Sequence, residues 1–252
     1  MSTHVSFSSV GKSDPSAAGL PSDSLSIAAE AERIRRVFAE RQEPADGAFD
    51  PFRLLAHQER QEKLAAFFRE LGLSSLQKLQ ILDVGCGSGG HLRRLVDFGA
   101  EPERCFGMDL FTKRLHDARN LNPNISFAEA NAAQLPFGDD QFDLVFQYTV
   151  LTSVLDKELR RSIVSEIRRV LRPSGYFVLY DFAYSNPKNP NVRGIGKKEL
   201  SELLGDFHIR FQRVTLAPPI GRIAGRISPL LYRILASVPL LRTHYLCFAR
   251  KR

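Results

Sequence analysis

The chain has 252 residues, enough for one full α/β core with additions, and a formal net charge of +7. That charge suits an anionic partner (nucleic acid, a phosphorylated substrate or a membrane surface) without choosing among them, because the arginines are scattered. Cys86, Cys105 and Cys247 are odd in number and lack metal-site spacing, so neither a disulfide framework nor zinc is indicated, and a reducing cytoplasm fits.

The first 23 residues are rich in Ser and Gly with no long apolar run, which reads as no signal sequence. No stretch reaches the apolar length of a membrane span. Residues 1–26 read as a disordered tail. From Ala28 to Arg41, Ile34, Val37 and Phe38 recur at helical spacing, and Pro44, Asp46 and Gly47 end that helix. A second helix is expected from Pro51 to Leu71, with Leu54, Leu55, Leu64, Phe67 and Phe68 on its apolar face and Gly72 as its C-cap. His57, Gln58 and Arg60 lie on it, either as a solvated polar face or toward a site. Residues 27–79 thus form a helical cap ahead of a domain spanning 80–252.

Ile81-Leu82-Asp83-Val84 reads as a short buried strand, followed by Gly85, Gly87 and Gly89 and then a helix from Gly89 to Phe98. A strand that turns into a helix through glycines lets a ligand approach the backbone closely and aims free N–H groups at it. There is no Gly-Lys-Ser/Thr ending, which speaks against a phosphate-binding P-loop. Arg104–Leu110 is the second strand and ends on Asp109, where a carboxylate can accept bonds from two ribose hydroxyls or, alternatively, cap the helix Thr112–Asn120. Ile125–Ala130 is the third strand, followed by Asn131-Ala132-Ala133 and a Leu135-Pro136-Phe137 turn. Phe142-Asp143 opens the fourth strand, which runs to Gln147 and Tyr148. The helix Glu158–Leu171 ends in Leu171-Arg172-Pro173-Ser174-Gly175, which turns into a fifth strand, Tyr176–Phe182. Short apolar runs alternating with helical patterns signal parallel β-α units.

The glycine loop with Asp83 before it, Asp109, the Leu-Pro-Phe turn, Phe142-Asp143 and the Leu-Arg-Pro-Ser-Gly turn fall in order over residues 80–182. Together they resemble the class I S-adenosylmethionine (SAM) dependent methyltransferases. The resemblance implies a Rossmann-like α/β fold: a seven-stranded, mostly parallel sheet with helices on both faces and an antiparallel last hairpin, here Phe207–Leu216 and Thr243–Lys251. It implies SAM as cofactor, with Asp83, Gly85, Cys86, Gly87, Gly89, Asp109, Leu110, Asn131, Ala132 and Gln147 around it. The family usually has an aspartate where Asn131 stands; an amide oxygen still accepts the adenine amino group. Relatives often carry a histidine at or near Thr152 or Ser153; here there are hydroxyls, so no histidine acts at that place. The helices ahead of the first strand often cover the cofactor in this family, which would bring His57 to the substrate.

Two segments are less generic. The loop Asn186–Gly194, rich in Asn and Pro, follows Asp181 and carries Arg193, which either grips an anionic substrate group or anchors the loop. Ala217–Leu241 is inserted between the last two strands; Pro229 splits it into two helical pieces, with Arg222, Arg226 and Arg233 on roughly one face. It either touches a membrane surface, shapes acceptor binding, or packs its apolar face on the sheet. The expected chemistry is methyl transfer to a small-molecule, sugar or lipid-linked acceptor, O-methylation favoured, in the cytoplasm or peripherally at a membrane. Asp181 and Tyr148 are the candidate general bases, with His57 and His244 behind them. The alternatives are a SAM-binding protein without turnover and a nucleic-acid methyltransferase. Against the last, Gln147-Tyr148-Thr149-Val150 stands where amino-methylating DNA enzymes carry Asn/Asp-Pro-Pro-Tyr/Phe, and no RNA-binding module is visible.

Overall fold

The computed structural model describes residues 22–40 and 49–252. The tail over 1–21 and the break at Pro44, Asp46 and Gly47 lie outside the described residues. Helix α1 (Ser22–Ala39) begins ahead of Ala28, because the intervening stretch holds no Gly or Pro to stop it. Helix α2 (Pro51–Glu70) starts on Pro51, with the Asp50 carboxylate accepting from Arg53 N; Gly72 beyond its end takes φ +71°.

The main domain alternates β1 (Ile81–Val84), α3 (Gly90–Asp97), β2 (Cys105–Asp109), α4 (Thr112–Leu121), β3 (Ser126–Glu129), β4 (Phe142–Tyr148), α5 (Lys157–Val170) and β5 (Leu171–Phe182). Then come α6 (Lys197–Leu203), β6 (Phe207–Leu216), α7 (Pro218–Ile227), α8 (Pro229–Ala236) and β7 (Arg242–Lys251). The seven strands lie in the order β3-β2-β1-β4-β5-β7-β6, and only β7 runs against the rest.

β5 starts at Leu171, earlier than the expected Tyr176. Leu171 already pairs with Phe142, and the residues before Tyr176 form a bulge with Ser174 at φ +62°. A Cβ at Gly175 would lie 2.9 Å from Arg172 O, so the bulge admits only glycine there.

Alternate strand residues feed opposite cores. Leu82, Val145, Phe177 and Leu179 pack with Leu159, Ile163 and Ile167 of α5. Ile81, Leu144, Phe146 and Val178 pack with Leu64, Phe67 and Phe68 of α2 and Leu92 and Leu95 of α3. β1 is buried on both faces, so it reads as an apolar run rather than an alternation.

Candidate active site

β1 and β4 are neighbours, yet the chain runs outward from them in opposite directions: β1 toward β2 and β3, β4 toward β5. Ligands of open parallel sheets bind at the carboxyl ends of strands at such a point. Here Gly85 after β1, Asp109 ending β2 and Tyr148-Thr149-Val150 ending β4 all line one cavity of about 1050 Å³.

Gly85, Gly87 and Gly89 take φ of +78°, +55° and +74°. The turn is pinned by Gly85 N and Cys86 N, which both donate to Met108 O at 2.8 and 2.9 Å. A Cβ at Gly85 would stand 2.3 Å from Val150 Cγ2, whereas one at Gly87 would meet no heavy atom within 4 Å. Gly87 therefore faces open space that a ligand can enter, and its backbone needs a conformation that side chains disfavour.

Asp109 is buried. Its Oδ2 accepts from Gly87 N at 2.8 Å and its Oδ1 from Phe111 N at 3.1 Å. A carboxylate has about four acceptor sites, so hydroxyl partners still fit. Burial pushes this carboxyl up, against the Gly87 N–H, the Arg114 charge and the Phe111 N–H, which pull it down. The N-cap of α4 is Phe111, without a side-chain cap, so Asp109 is not the capping residue. Leu110, Asn131 and Ala132 line the same cavity, with Asn131 Oδ1 accepting from Ala133 N at 2.9 Å. The glycine turn with its open Gly87 face and the buried Asp109 beside it fit SAM.

The sequence model of a family described as a methyltransferase domain matches residues 82–179. Over 111 residues the chain is 36% identical to an uncharacterized methyltransferase of Synechocystis sp., covering 44% of this chain and 50% of that one. Over 118 residues it is 35% identical to a 2-phytyl-1,4-naphtoquinone methyltransferase of Trichormus variabilis, covering 44% and 49%. The chain thus spans about half the length of these relatives. A solved SAM-dependent methyltransferase of Mesorhizobium loti has the same fold, with a TM-score of 0.57 at 22% identity over 78% of this chain and 100% of that one.

Residues 82–179 match a methyltransferase domain, and the fold around them is that of SAM-dependent methyltransferases.

Not every expected site residue reaches the cavity. Asp83, Cys86, Gly87, Gly89 and Gln147 are not among its lining side chains. Gly87 still offers its open face, and Gly89 is the left-handed N-cap of α3, filled behind by Asn122 and Phe127. Asp83 lies beneath the turn, 3.6 Å from His91 Nδ1. The Cys86 thiol is buried. Gln147 is fully buried, and its amide oxygen, in the orientation that satisfies the amide, accepts from Val150 N at 3.1 Å and Leu151 N at 2.7 Å. It shapes the turn after β4 rather than the cavity wall.

The base candidates are corrected in the same way. Both Asp181 oxygens are engaged: Thr152 Oγ1 donates a short bond, Thr152 N donates at 3.2 Å and Phe182 N at 3.0 Å. Asp181 is buried outside the cavity lining and braces the Leu151–Ser153 turn. Tyr148 contributes to the wall, but its hydroxyl is buried without a partner, and its ring packs 4.3 Å from His91 and 5.4 Å from Tyr180. Burial pushes that phenol up, which disfavours a phenolate. His244 is buried in a stack with Tyr180, and burial and Arg60 depress it to about 3. His57 is absent from the cavity lining and is likewise depressed to about 3 by burial, Arg60, Arg94 and His91. Gln58 is exposed and bonds Glu62, while Arg60 sits 4.6 Å over the Tyr180 ring. Arg193 anchors its loop: Nη2 donates to Glu199 at 2.7 Å, and its backbone N donates to Thr152 O at 2.9 Å.

Three features of the candidate site carry little or no sequence signal. The first is the role of α1 rather than α2 as the cavity cover: Ala31, Ile34 and Phe38 line it. Glu30 accepts from Leu155 N at 2.6 Å, Arg33 Nη2 donates to Ser153 O at 2.6 Å, and Arg114 lies 4.8 Å from the ring centroids of both Phe38 and Phe111. The second is Arg160, fully buried on α5, which donates to Val154 O, Glu199 and Arg193 O at 2.7, 2.8 and 3.0 Å. The third is Thr149, a β-branched cavity residue at φ +56°. Its only sequence signal is its position at the end of β4.

Proposed function

We propose that this chain transfers the methyl group of SAM to a small-molecule acceptor with an apolar body, at oxygen. The carrying observation is the single cavity that joins the Gly85/Asp109 corner to a wall of Ala31, Ile34, Phe38, Val154, Leu159, Ile163 and Phe182. A sugar or a lipid-linked acceptor is compatible with the polar rim of Asn186, Lys188, Asn189 and Arg222. Relatives named for 2-phytyl-1,4-naphtoquinone and tocopherol support an acceptor of this kind. Asp109, the glycine turn, Leu110, Asn131 and Ala132 would hold the cofactor. When bound, SAM supplies an already activated methyl on a sulfonium.

The protein's own part is alignment and exclusion of water. Helix α1 covers the cavity, and the Asp181–Thr152 bonds set the turn that forms its wall. Among the described residues, Asp109 is the only carboxylate of the lining, and no imidazole joins it. The acceptor's own ionisation therefore supplies the nucleophile, as a phenolic or similarly acidic hydroxyl does. Three buried, unpaired thiols suit a reducing compartment, the cytoplasm.

The test is formation of S-adenosylhomocysteine with a panel of phenolic acceptors of graded acidity. The rate is expected to rise with pH along each acceptor's own titration. A profile that stays at one pH for every acceptor would instead mark a base on the protein. A SAM-binding protein without turnover is the second reading, favoured by the missing base. The fold also serves a [4+2]-cyclase, SpnF, with a TM-score of 0.55 at 21% identity. That reading is chosen if SAM binds and no acceptor yields S-adenosylhomocysteine.

A further inference from the structure

The insertion 217–241 packs on the start of α2 and on β6. Helix α7 packs by its smallest residues: Gly221, Ala224 and Gly225 are buried against the start of α2. A Cβ at Gly221 would lie 2.4 Å from Phe52 Cδ2, and one at Gly225 would lie 3.2 Å from Phe52 N. Helix α8 instead buries Tyr232 together with Ala236 in a cluster with Phe52 and Leu216, with Leu231 and Leu235 partly buried against it. In α7, close approach through small residues leaves the isoleucines on the outside.

Ile220, Ile223 and Ile227 of α7, Leu230 and Ile234 of α8, and Val238 and Leu240 beyond it are all exposed; Ile223, Ile227 and Leu230 are about two-thirds accessible. Phe49 and Leu54, at the end of α2 on which α7 rests, are exposed as well. At about 100° per residue, Ile220, Ile223 and Ile227 form one stripe of α7, and Arg222 and Arg226 form the stripe beside it. Arg233 is exposed on α8. The segment 217–241 contains no Asp or Glu, so it carries three positive charges and no negative one.

An exposed apolar stripe flanked by arginines, in a segment with no acidic residue of its own and with Arg233 reaching Glu62 of α2 at 3.5 Å, matches an anionic lipid surface. Apolar side chains enter the acyl boundary while guanidinium groups meet headgroup phosphates. The first turn of α7 also belongs to the cavity wall through Pro218 and Pro219. We propose that the α7–α8 hairpin is a docking surface for an anionic lipid bilayer, which sets the cavity beside the membrane. This surface stands apart from the methyl-transfer reading and is tested without turnover.

The test is co-sedimentation of the 252-residue chain with vesicles of phosphatidylcholine alone and of equimolar phosphatidylcholine and phosphatidylglycerol. Binding to the anionic vesicles is expected, weakening as salt is raised. The double variant Arg226→Gln/Arg233→Gln is expected to bind them on the order of tenfold more weakly, from the usual surface attraction per basic residue. The triple variant Ile223→Ser/Ile227→Ser/Ile234→Ser is expected to lose the vesicles. SAM affinity by calorimetry should match the parent in both variants, which reports that each is folded. The proposal is overturned if the parent ignores anionic vesicles, or if both variants bind as the parent does. It is also overturned if light scattering shows a dimer that the isoleucine variant dissociates while vesicle binding is unchanged, since the hairpin then meets a second copy of the chain.

Discussion

Asp109 uses one carboxylate to hold two backbone N–H groups while its remaining lone pairs stay available to a ribose. Asp109→Ala should therefore weaken SAM binding by roughly 1.5–3 kcal/mol in a folded variant, measured by calorimetry. Unchanged affinity would remove Asp109 from the cofactor site. Gly87→Val should abolish SAM binding, because it combines a side chain in open ligand space with φ +55°. Normal SAM binding by that variant would show that the turn is not the cradle. Asp181 makes a prediction about pH. Burial pushes its carboxyl up to about 6 despite bonds from Thr152 and Phe182. The unfolded value is about 3.9, so the folded state binds the extra proton between the two. Its contribution to stability therefore falls as pH rises from about 4 to 6, by on the order of 3 kcal/mol at most. Urea unfolding of Asp181→Asn and the parent should show the difference moving in the variant's favour across that window and staying level above it. A difference that does not change with pH would refute the shift.

At the scale of elements, α1 is tied to the rest of the site by charged bonds as well as by apolar contact. Glu30 pairs with Arg33 at 2.7 Å, and both reach the 153–155 backbone. Glu30→Gln should weaken this clasp by about 1.5–3 kcal/mol. Hydrogen exchange of the α1 amides is expected to rise on the order of tenfold or more, and the acceptor's KM to rise with kcat little changed. Exchange at the parent rate would show that the cover is held by Ala31, Ile34 and Phe38 alone. Arg160 ties α5 to the 193–199 loop and to the turn below the cavity. Its replacement by Met strands the Val154 and Arg193 carbonyls and leaves Glu199 to Arg193 alone, and should cost roughly 2–4 kcal/mol in unfolding free energy. An unchanged denaturation midpoint would mean that water takes over those acceptors.

Across the whole molecule, the two sheet faces are unequal. One carries α5 and is continuous with the cofactor cavity. The other packs α2 and α3 around aromatic rings and charged groups: Arg60 donates to Tyr180 Oη at 3.3 Å, and Tyr180 Oη shares a 2.9 Å bond with Thr215 Oγ1. His57 and His244 stay neutral beside that Arg60 charge. Both have folded values near 3, below the unfolded value of about 6.5. The folded state thus refuses protons that the unfolded chain accepts, and stability should fall as pH drops from about 6.5 toward 3. His244→Phe, which keeps a ring in the Tyr180 stack, should flatten part of that decline in a pH series of thermal unfolding. A variant with the parent's slope would show that His244 titrates normally.

The sequence by itself determined the order of elements and the glycine turn, while the antiparallel last strand followed only from the resemblance. The first two features are local: Ile81–Val84 is a short apolar run, and the glycines at 85, 87 and 89 mark backbone that only glycine takes easily. What it left open was direction. Successive side chains at a strand's end point to opposite faces, so Tyr148 and Asp181 were plausible bases until packing buried the Tyr148 hydroxyl behind a ring that stays on the cavity wall and closed both oxygens of Asp181 on Thr152 and Phe182. Arg193 found Glu199, a partner in another element. In α7 the periodicity shows an apolar stripe and a basic stripe, but not which side has a neighbour. Only the tertiary structure decided that, because Phe52 fills the space beside Gly221 and leaves the isoleucines outside.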